Sequence, residues 1–402
     1  VSATTTFSGV MGSSNGLATV NVDTGTVATF SEAVTAVTIT LTGDAVFKKE
    51  ATATTIALVA GKATFNNAAA RTIAGAISAT SGTTELAVVN VTDTEVYIVT
   101  ISGAVDVTTV TIGTTAKAGN AKFSSTVAGA STIHGGAHED EDSLMEITGT
   151  HTGAILLSQA GNGDAGLKTS GSTALSITGA ITVDADEGGV ITAANTAGTT
   201  FAAIGTDAAK AISVTVSSGA DALFGAAVAA NTLTITGDAI IQAADNESEI
   251  IAMGASSTLI IDDTVTNGNN VFNEVAVTRP TLTDGAKIYL PVNLKTTQTL
   301  ILFYGEGNAT LGDDTTTVTE TTAAIQDNAL FDYTAAASTT GNGFTIVTAT
   351  VKSEATTASE LSVTANKARA LKQALLSAIS IEYTPAIERI LNSNVAFPKV
   401  SL

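Results

Sequence analysis

A short alternation of apolar and hydroxyl-bearing residues, closed by glycine, recurs along the chain. Four copies read apolar, Thr or Ser, apolar, Thr or Ser, Gly, and they occupy residues 39–43, 99–103, 175–179 and 233–237, with looser copies at 71–75 and 145–149. Period-two alternation is typical of a β-strand with one buried face. The closing glycine indicates a turn that a side chain would obstruct. The copies recur at intervals of roughly thirty residues, which favours the stacked rungs of a repeat protein.

The residue types agree with a tightly stacked β-structure. Aromatic residues make up only 4% of the 402 residues, and Ala, Thr, Val, Gly and Ser predominate. Small and β-branched side chains suit repetitive β-layers, and the β-branched ones are poor helix formers. The sequence therefore predicts an all-β fold, a right-handed parallel β-helix or solenoid with a small C-terminal α+β cap. Because the repeat spacing is irregular, a tandem array of β-sandwich domains remains the alternative.

The composition changes near residue 280, and this change predicts two regions. All four prolines lie at or beyond that position, and proline cannot donate to a sheet ladder. We expect residues 1–280 to form Thr/Gly/Ala-rich solenoid repeats, and residues 281–402 to form the terminal rungs and a helical cap. Strand-like runs continue to about Val351, a helical pattern begins near Thr364, and Thr384 followed by Pro385 reads as a second helix start.

The charge balance disfavours two kinds of partner. The chain carries 17 Lys and Arg against 37 Asp and Glu, a net charge of -20. Nucleic acids and anionic membrane surfaces are therefore disfavoured, because binding them needs clustered cations.

No cysteine is present, which excludes disulfides and thiolate metal sites. No apolar run is long enough to span a membrane. The start at Val1, without an initiator Met or a charged leader, predicts a processed or trimmed chain from which any export signal has been removed.

Histidines and acids concentrate between residues 134 and 151, which we interpret as an acidic insert between rungs. The three histidines of the chain, His134, His138 and His151, all lie there, around a run of four acids. Imidazoles beside carboxylates can hold a divalent metal ion, and acidic turns can hold Ca²⁺. A solvated acidic loop without a ligand is the alternative. The candidate metal ligands, including paired acids elsewhere, are His134, His138, Glu139, Asp140, Glu141, Asp142, Asp184, Asp186, Asp262 and Asp263.

The C-terminal region also carries a family resemblance. Residues 282–294 read LTDGAKIYLPVNL and are followed by an apolar strand at 299–303, the run ALFDY at 329–333 and a Thr/Val strand at 344–351. In order and character these segments resemble the last rungs of autotransporter passenger domains, especially rickettsial surface antigens of the outer-membrane-protein-B kind. The resemblance covers roughly the last 120 residues, and the biased composition before them is similar. It implies a β-helical passenger displayed outside the cell, and a released one because no membrane barrel follows the helical stretch.

These observations predict a non-enzymatic, extracellular structural protein at the cell surface. We expect it to associate with copies of itself into a bacterial surface layer or filament, bridged by divalent cations such as Ca²⁺ on acidic turns. The alternative is a monomeric adhesin that binds a cell-surface glycan or a host receptor. A third hypothesis is a β-helical polysaccharide-active enzyme, which needs convergent acids with Arg or Lys in a groove. The four arginines of this chain are widely spaced in sequence. We therefore predict no catalytic residue and no cofactor other than Ca²⁺.

Overall fold

The chain folds into a parallel β-solenoid of about 11 turns with a small helical C-terminal part, which confirms the predicted fold class. The computed structural model describes residues 3–13, 16–80, 82–90, 97–138, 142–159, 162–184, 188–265, 270–273, 275, 280–291, 294, 299–305, 315–328, 331–338 and 343–378. Two compact units divide the chain, residues 1–214 and residues 215–402. The predicted boundary at residue 280 stays a prediction.

Short parallel strands make up the first unit. They are β1 (Ala3–Phe7), β2 (Leu17–Val22), β3 (Thr26–Phe30), β4 (Val34–Leu41), β5 (Asp44–Phe47), β6 (Ala51–Leu58), β7 (Lys62–Asn67), β8 (Arg71–Ala79), β9 (Glu85–Asn90), β10 (Val99–Ile101), β11 (Val105–Ile112), β12 (Asn120–Phe123), β13 (Val127–His134), β14 (Ser143–Ile147), β15 (Ile155–Ser158), β16 (Ala165–Thr169), β17 (Leu175–Ile177), β18 (Ile181–Val183), β19 (Val190–Ala193) and β20 (Thr199–Phe201), followed by β21 (Ala211–Val216) at the boundary. Each rung contributes residues to several stacks of in-register strands, so equivalent side chains lie directly above one another.

Aligned side chains form columns in the core of the first unit. Phe7, Phe30, Phe47 and Phe65 stack with ring centroids 5.1 to 5.2 Å apart, and we call this the phenylalanine column. The same register continues through Val88, Ile112, Ile133, Leu157 and Val183. Parallel in-register pairing favours similar shapes at each level, because each ring packs on the one below. Each fully buried phenylalanine contributes about 2 to 3 kcal/mol through loss of apolar surface.

The rungs are shorter than the predicted interval. Phe30 and Phe47 are aligned and 17 residues apart, whereas Leu157 and Val183 are aligned and 26 apart. The predicted interval of about thirty residues per rung was too long. The glycine-closed copies fall in different stacks of strands, so their spacing does not measure the length of one rung. Ile39 belongs to a stack that leads through β6, β8 and β11, whereas Val99 pairs with Ala121 in another.

The closing glycines lie at corners where successive rungs touch. A Cβ on Gly179 would lie 2.1 Å from the carbonyl oxygen of Gly153. Gly153 closes no copy of the motif but makes the same approach one rung earlier, where its Cβ would lie 1.8 Å from the carbonyl oxygen of Gly129. No L-side chain fits such an approach, so the predicted role of the closing glycine is confirmed at Gly179. Gly75 differs because it lies inside β8, where the register with β6 shifts.

The second unit continues with parallel strands and ends in antiparallel strands and helices. Its elements are β22 (Asp221–Phe224), β23 (Ala229–Ile235), β24 (Asp238–Ile241), β25 (Asn246–Met253), β26 (Thr258–Ile261), β27 (Asn270–Asn273), β28 (Thr281–Leu282), β29 (Lys287–Tyr289), β30 (Thr299–Gly305), α1 (Thr315–Ala324), β31 (Phe331–Ser338), β32 (Gly343–Val351), α2 (Glu354–Glu360) and α3 (Ala365–Ala378). Strand β32 pairs antiparallel with both β30 and β31. Among the described helices, none is both long enough and apolar enough to cross a membrane.

The buried asparagine Asn246 ties two loops and strand β27 together in this unit. Its Oδ1 accepts from the backbone N–H of Val228 at 2.9 Å. Its Nδ2 donates to the carbonyls of Ala243 at 2.9 Å and Val271 at 2.8 Å. Because every polar atom of this fully buried amide has a partner, the side chain stabilises the turns around β25.

The C-terminal cap matches the sequence prediction in part. The helical pattern near Thr364 becomes α3, and the predicted start at Thr384 lies outside the described residues. Short strands were expected between residues 304 and 351, but residues 315–324 form α1, so that prediction was wrong there. Threonine-rich sequence has weak helix propensity, and here packing against β31 and β28 prevails over it. Both Thr321 and Ala324 are buried in this packing.

Candidate acidic turn site

Three turns lie on consecutive rungs of the first unit, and their described residues are 135–138 and 142, 159 and 162–164, and 184 and 188–189. They lie between β13 and β14, between β15 and β16, and between β18 and β19, and these strands pair rung upon rung. The turns contact one another directly. Gly135 donates its N–H to Ser158 at 2.9 Å, and Gly163 donates to Gly136 at 3.0 Å. The solenoid therefore brings together acids that are more than twenty residues apart in sequence.

Two carboxylates meet where the first two turns end. Asp142 and Asp164 each precede a strand, and those strands pair in register from Ser143 and Ala165 onward. The Oδ1 of Asp142 accepts a hydrogen bond from the backbone N–H of Asp164 at 2.8 Å. Burial, and secondly the negative charge of Asp142, raise the pKa of Asp164. The two acids therefore repel each other on neighbouring rungs, and a cation between them would relieve that repulsion.

The opposite ends of the turns carry His134 and Asp184. Burial lowers the pKa of His134, and the charge of Asp184 partly opposes that shift. Within the described residues the Nδ1 atom of His134 is buried and has no hydrogen-bond partner. Asp184 accepts a hydrogen bond from the backbone N–H of Gln159 at 3.0 Å through its Oδ1 atom. We call His134, Asp142, Asp164 and Asp184 together the acidic turn face.

The other predicted ligands are distributed as follows. His138 is exposed on the first of the three turns. Glu139, Asp140, Glu141 and Asp186 lie outside the described residues. Asp262 and Asp263 belong to the second unit, where the Oδ1 of Asp262 accepts from the N–H and the hydroxyl of Thr264 at 3.0 and 2.8 Å. In the part of the chain that the structure describes, no group of three or more His, Cys, Asp or Glu gathers closely enough to hold a metal ion. Calcium binding stays a prediction.

His151 lies in the core and not on a turn. It pairs with Val127 on one side and Ile177 on the other, in a column that is otherwise aliphatic there. Its Nε2 atom lies 2.7 Å from the hydroxyl of Ser131, which faces the core from the adjoining stack. Burial lowers the pKa of His151 to about 4, although the backbone of Gly153 partly opposes the shift. The imidazole is therefore neutral at physiological pH, and it forms a buried polar pair with the hydroxyl of Ser131.

Sequence reasoning missed Asp164 as a partner of Asp142, and it missed a second acidic pair. Asp221 and Asp238 are register neighbours on β22 and β24. Burial and the charge of Asp238 raise the pKa of Asp221. Both pairs depend on the register between rungs of unequal length, which residue spacing alone did not supply. An acid at the start of a strand or directly before it, repeated in the next rung, is the signal that could have identified them.

A ladder of opposite charges runs across the same rungs, with the buried Glu146 at its centre. Lys122, Glu146 and Lys168 lie in register on β12, β14 and β16, and Lys122 contacts Glu146 at 2.8 Å. Burial alone would raise the pKa of Glu146, but hydrogen bonds from Lys122 and Ser170 outweigh it and lower the pKa. This ladder is structural, since its charges satisfy each other.

The fold and these features define the chain as a parallel β-solenoid protein with stacked acidic turns on one corner. No protein-family model, no curated protein and no solved structure matches the chain.

Proposed function

We propose that this chain is an extracellular structural protein that assembles with copies of itself into a surface layer or filament, with divalent cations bridging its acidic turns. The stacking of Asp142 and Asp164 on neighbouring rungs carries this proposal. A repetitive rigid scaffold presents such turns at fixed spacing, and paired carboxylates on a turn suit Ca²⁺. The overall charge of -20 supports a role for the cation, because copies of the chain repel each other without one.

The position of the site on turns supports a bridging role more than a catalytic one. Connecting turns lie at the surface and contact partners, whereas the columns of the core only maintain the rungs. The resemblance of the C-terminal region to autotransporter passengers supports an extracellular location. A monomeric adhesin that binds a glycan or host receptor is the competing hypothesis, and assembly distinguishes the two.

Negative-stain electron microscopy of the purified chain, with Ca²⁺ and again with EDTA, tests this proposal. We expect ordered sheets or filaments in Ca²⁺ that disperse in EDTA. The double variant Asp142→Asn/Asp164→Asn should lose the response to Ca²⁺. A matched control, Asp106→Asn/Asp207→Asn, removes the same charge from two exposed positions of the first unit and should assemble normally. Isolated particles under all conditions would contradict self-assembly and favour the adhesin.

A further inference from the structure

A buried lysine in the second unit lies against two carboxylates. Lys352 directly follows β32, and its side chain is only 5% exposed. Its Nζ atom lies 2.7 and 2.9 Å from the two carboxylate oxygens of Glu360, and 3.5 Å from the Oδ1 atom of Asp332. By contrast, Lys62 and Lys122 of the first unit are 39% and 36% exposed in their salt bridges. The Lys352 cluster therefore differs from an ordinary surface ion pair.

The antiparallel strands of the cap place this lysine beside Asp332. Asp332 of β31 lies opposite Thr350 of β32. Residues two apart along an extended chain share a face of the sheet, so Lys352 is a diagonal neighbour of Asp332 and its long side chain reaches it. Ser353 then caps α2, and Glu360 is the last residue of that helix. One strand register and one short helix thus bring an amine and two carboxylates together.

Helix α3 holds the backbone around the cluster. Lys372 donates a hydrogen bond from its Nζ atom to the backbone carbonyl of Lys352. Arg369 of the same helix contacts Glu354, the first residue of α2, at 2.8 Å. Both ends of the segment that links the lysine to α2 are therefore fixed before any reaction between the side chains takes place. Such preorganisation removes much of the entropic cost of bringing reacting groups together.

We propose that Lys352 and Asp332 condense into an intramolecular amide bond, with Glu360 transferring the protons. Glu360 accepts a proton from the ammonium group, and the Nζ lone pair then attacks the Cγ atom of Asp332. A C–N bond forms and one C–O bond of the carboxylate breaks. Two of the three ammonium protons leave with that oxygen as water, and the third stays on the amide nitrogen. The step involves no change of oxidation state and no further reactant.

Proximity and burial both favour the amide over the ion pair. Groups held in contact within one molecule reach effective molarities of about 10⁵ to 10⁸ M, which promotes a condensation that is unfavourable between separate molecules in water. An ion pair with a buried partner carries a desolvation penalty, and the neutral amide avoids it. Asp332 and Glu360 are 50% and 38% exposed, so the released water can pass into solvent.

This bond is independent of the proposed self-assembly. It joins β31 to the residue that follows β32, and so closes the antiparallel part of the cap covalently. The chain contains no cysteine, so a disulfide cannot supply such a link. A cross-link of this kind makes a fold more stable mainly by restricting the unfolded chain.

Intact-mass spectrometry of the denatured full chain tests the inference. The wild-type mass should be lower than the mass calculated from the sequence by one water molecule. Lys295, Lys352 and Lys367 are successive sites for trypsin. Because the amide blocks cleavage after Lys352, residues 296–367 should remain one peptide that lacks the same water. A wild type with the full calculated mass, cleaved after Lys352, would overturn the inference and leave the cluster as an ion pair.

Variants locate the bond and the proton transfer. Lys352→Arg and Asp332→Ala should each have the full calculated mass. Glu360→Gln should form the bond about a hundredfold more slowly, so the freshly purified variant should also keep its water. The control Lys122→Arg, in the salt bridge with Glu146, should lack one water like the wild type.

Circular dichroism establishes that each variant is folded. Loss of water in Lys352→Arg or Asp332→Ala would contradict the assigned bond. Complete and equally rapid bond formation in a folded Glu360→Gln variant would contradict the proton transfer.

Discussion

The buried pair of Ser131 and His151 predicts that the rungs around it weaken as the pH falls below neutrality. Unfolding returns the imidazole from a pKa of about 4 to its ordinary value of 6.5. Between these values the unfolded chain binds a proton that the folded chain excludes. The free energy of unfolding therefore decreases as the pH is lowered. Above pH 6.5 the histidine is neutral in both states and the stability is unaffected. Stability is then lost progressively as the pH is lowered from 6.5 towards 4.

The size of the effect follows from the pKa difference. Each pH unit within this window costs about 1.4 kcal/mol. Lowering the pH from neutrality to 5 should therefore cost about 2 kcal/mol, and the limit below pH 4 is about 3 kcal/mol. His134 has a lowered pKa too, and it contributes in the same direction. Its contribution cancels when variants that retain it are compared.

Hydrogen exchange measured by mass spectrometry is the suitable assay. Rungs of a solenoid are stabilised by their neighbours, so local opening of β13 and β15 reports the effect better than global unfolding. After correction for the intrinsic pH dependence of exchange, the wild type should show the loss of about 2 kcal/mol between pH 7 and pH 5. In His151→Gln, which keeps a polar partner for Ser131, and in Ser131→Ala/His151→Leu, the loss should be smaller than in the wild type by about 2 kcal/mol, because only the contribution of His134 remains. An equal loss in wild type and variants would refute the reasoning.

Two further predictions concern the glycine corners and the buried amide. Gly153→Ala should destabilise the first unit by about 3 kcal/mol, because its Cβ would meet the carbonyl of Gly129; Gly9→Ala, with no atom within 4 Å, is the control, and equal melting temperatures would contradict the corner argument. Asn246→Leu should cost about 3 kcal/mol in urea unfolding, since three hydrogen bonds are lost. A loss below about 1 kcal/mol would show that the loops are held by other contacts.

The sequence was sufficient to predict the strands and the class of fold. Residues 99–101 and 175–177 alternate with a period of two, and they form β10 and β17 with their apolar side chains buried. The glycine that follows each is explained by steric contact between rungs, which a local rule can anticipate. In contrast, α1 was missed because its threonine-rich sequence gains its helical form from tertiary packing.

The acidic site was predictable only in part. The acids before Ser143 were visible as a run in the sequence, but the position of Asp164 beside Asp142 was not. Their proximity depends on the number of residues in the intervening rung, which varies between 17 and 26 along the phenylalanine column and its continuation. His151 shows the same limit, since a histidine near acids in sequence lies in the core in space.

The stacked turns also separate the parts of the chain that must be constant from those that can change. The connection at this corner has different lengths in different rungs. It has three residues between β3 and β4, but eight between β13 and β14. The strands before and after both connections stay in register with the next rung, so added length leaves the core unchanged. Loop-closure entropy grows slowly with length, and this corner should therefore accept inserted peptides at little cost. The solenoid is in this respect a display scaffold, on which new binding sequences can be grafted at the corner that carries the acidic turn face.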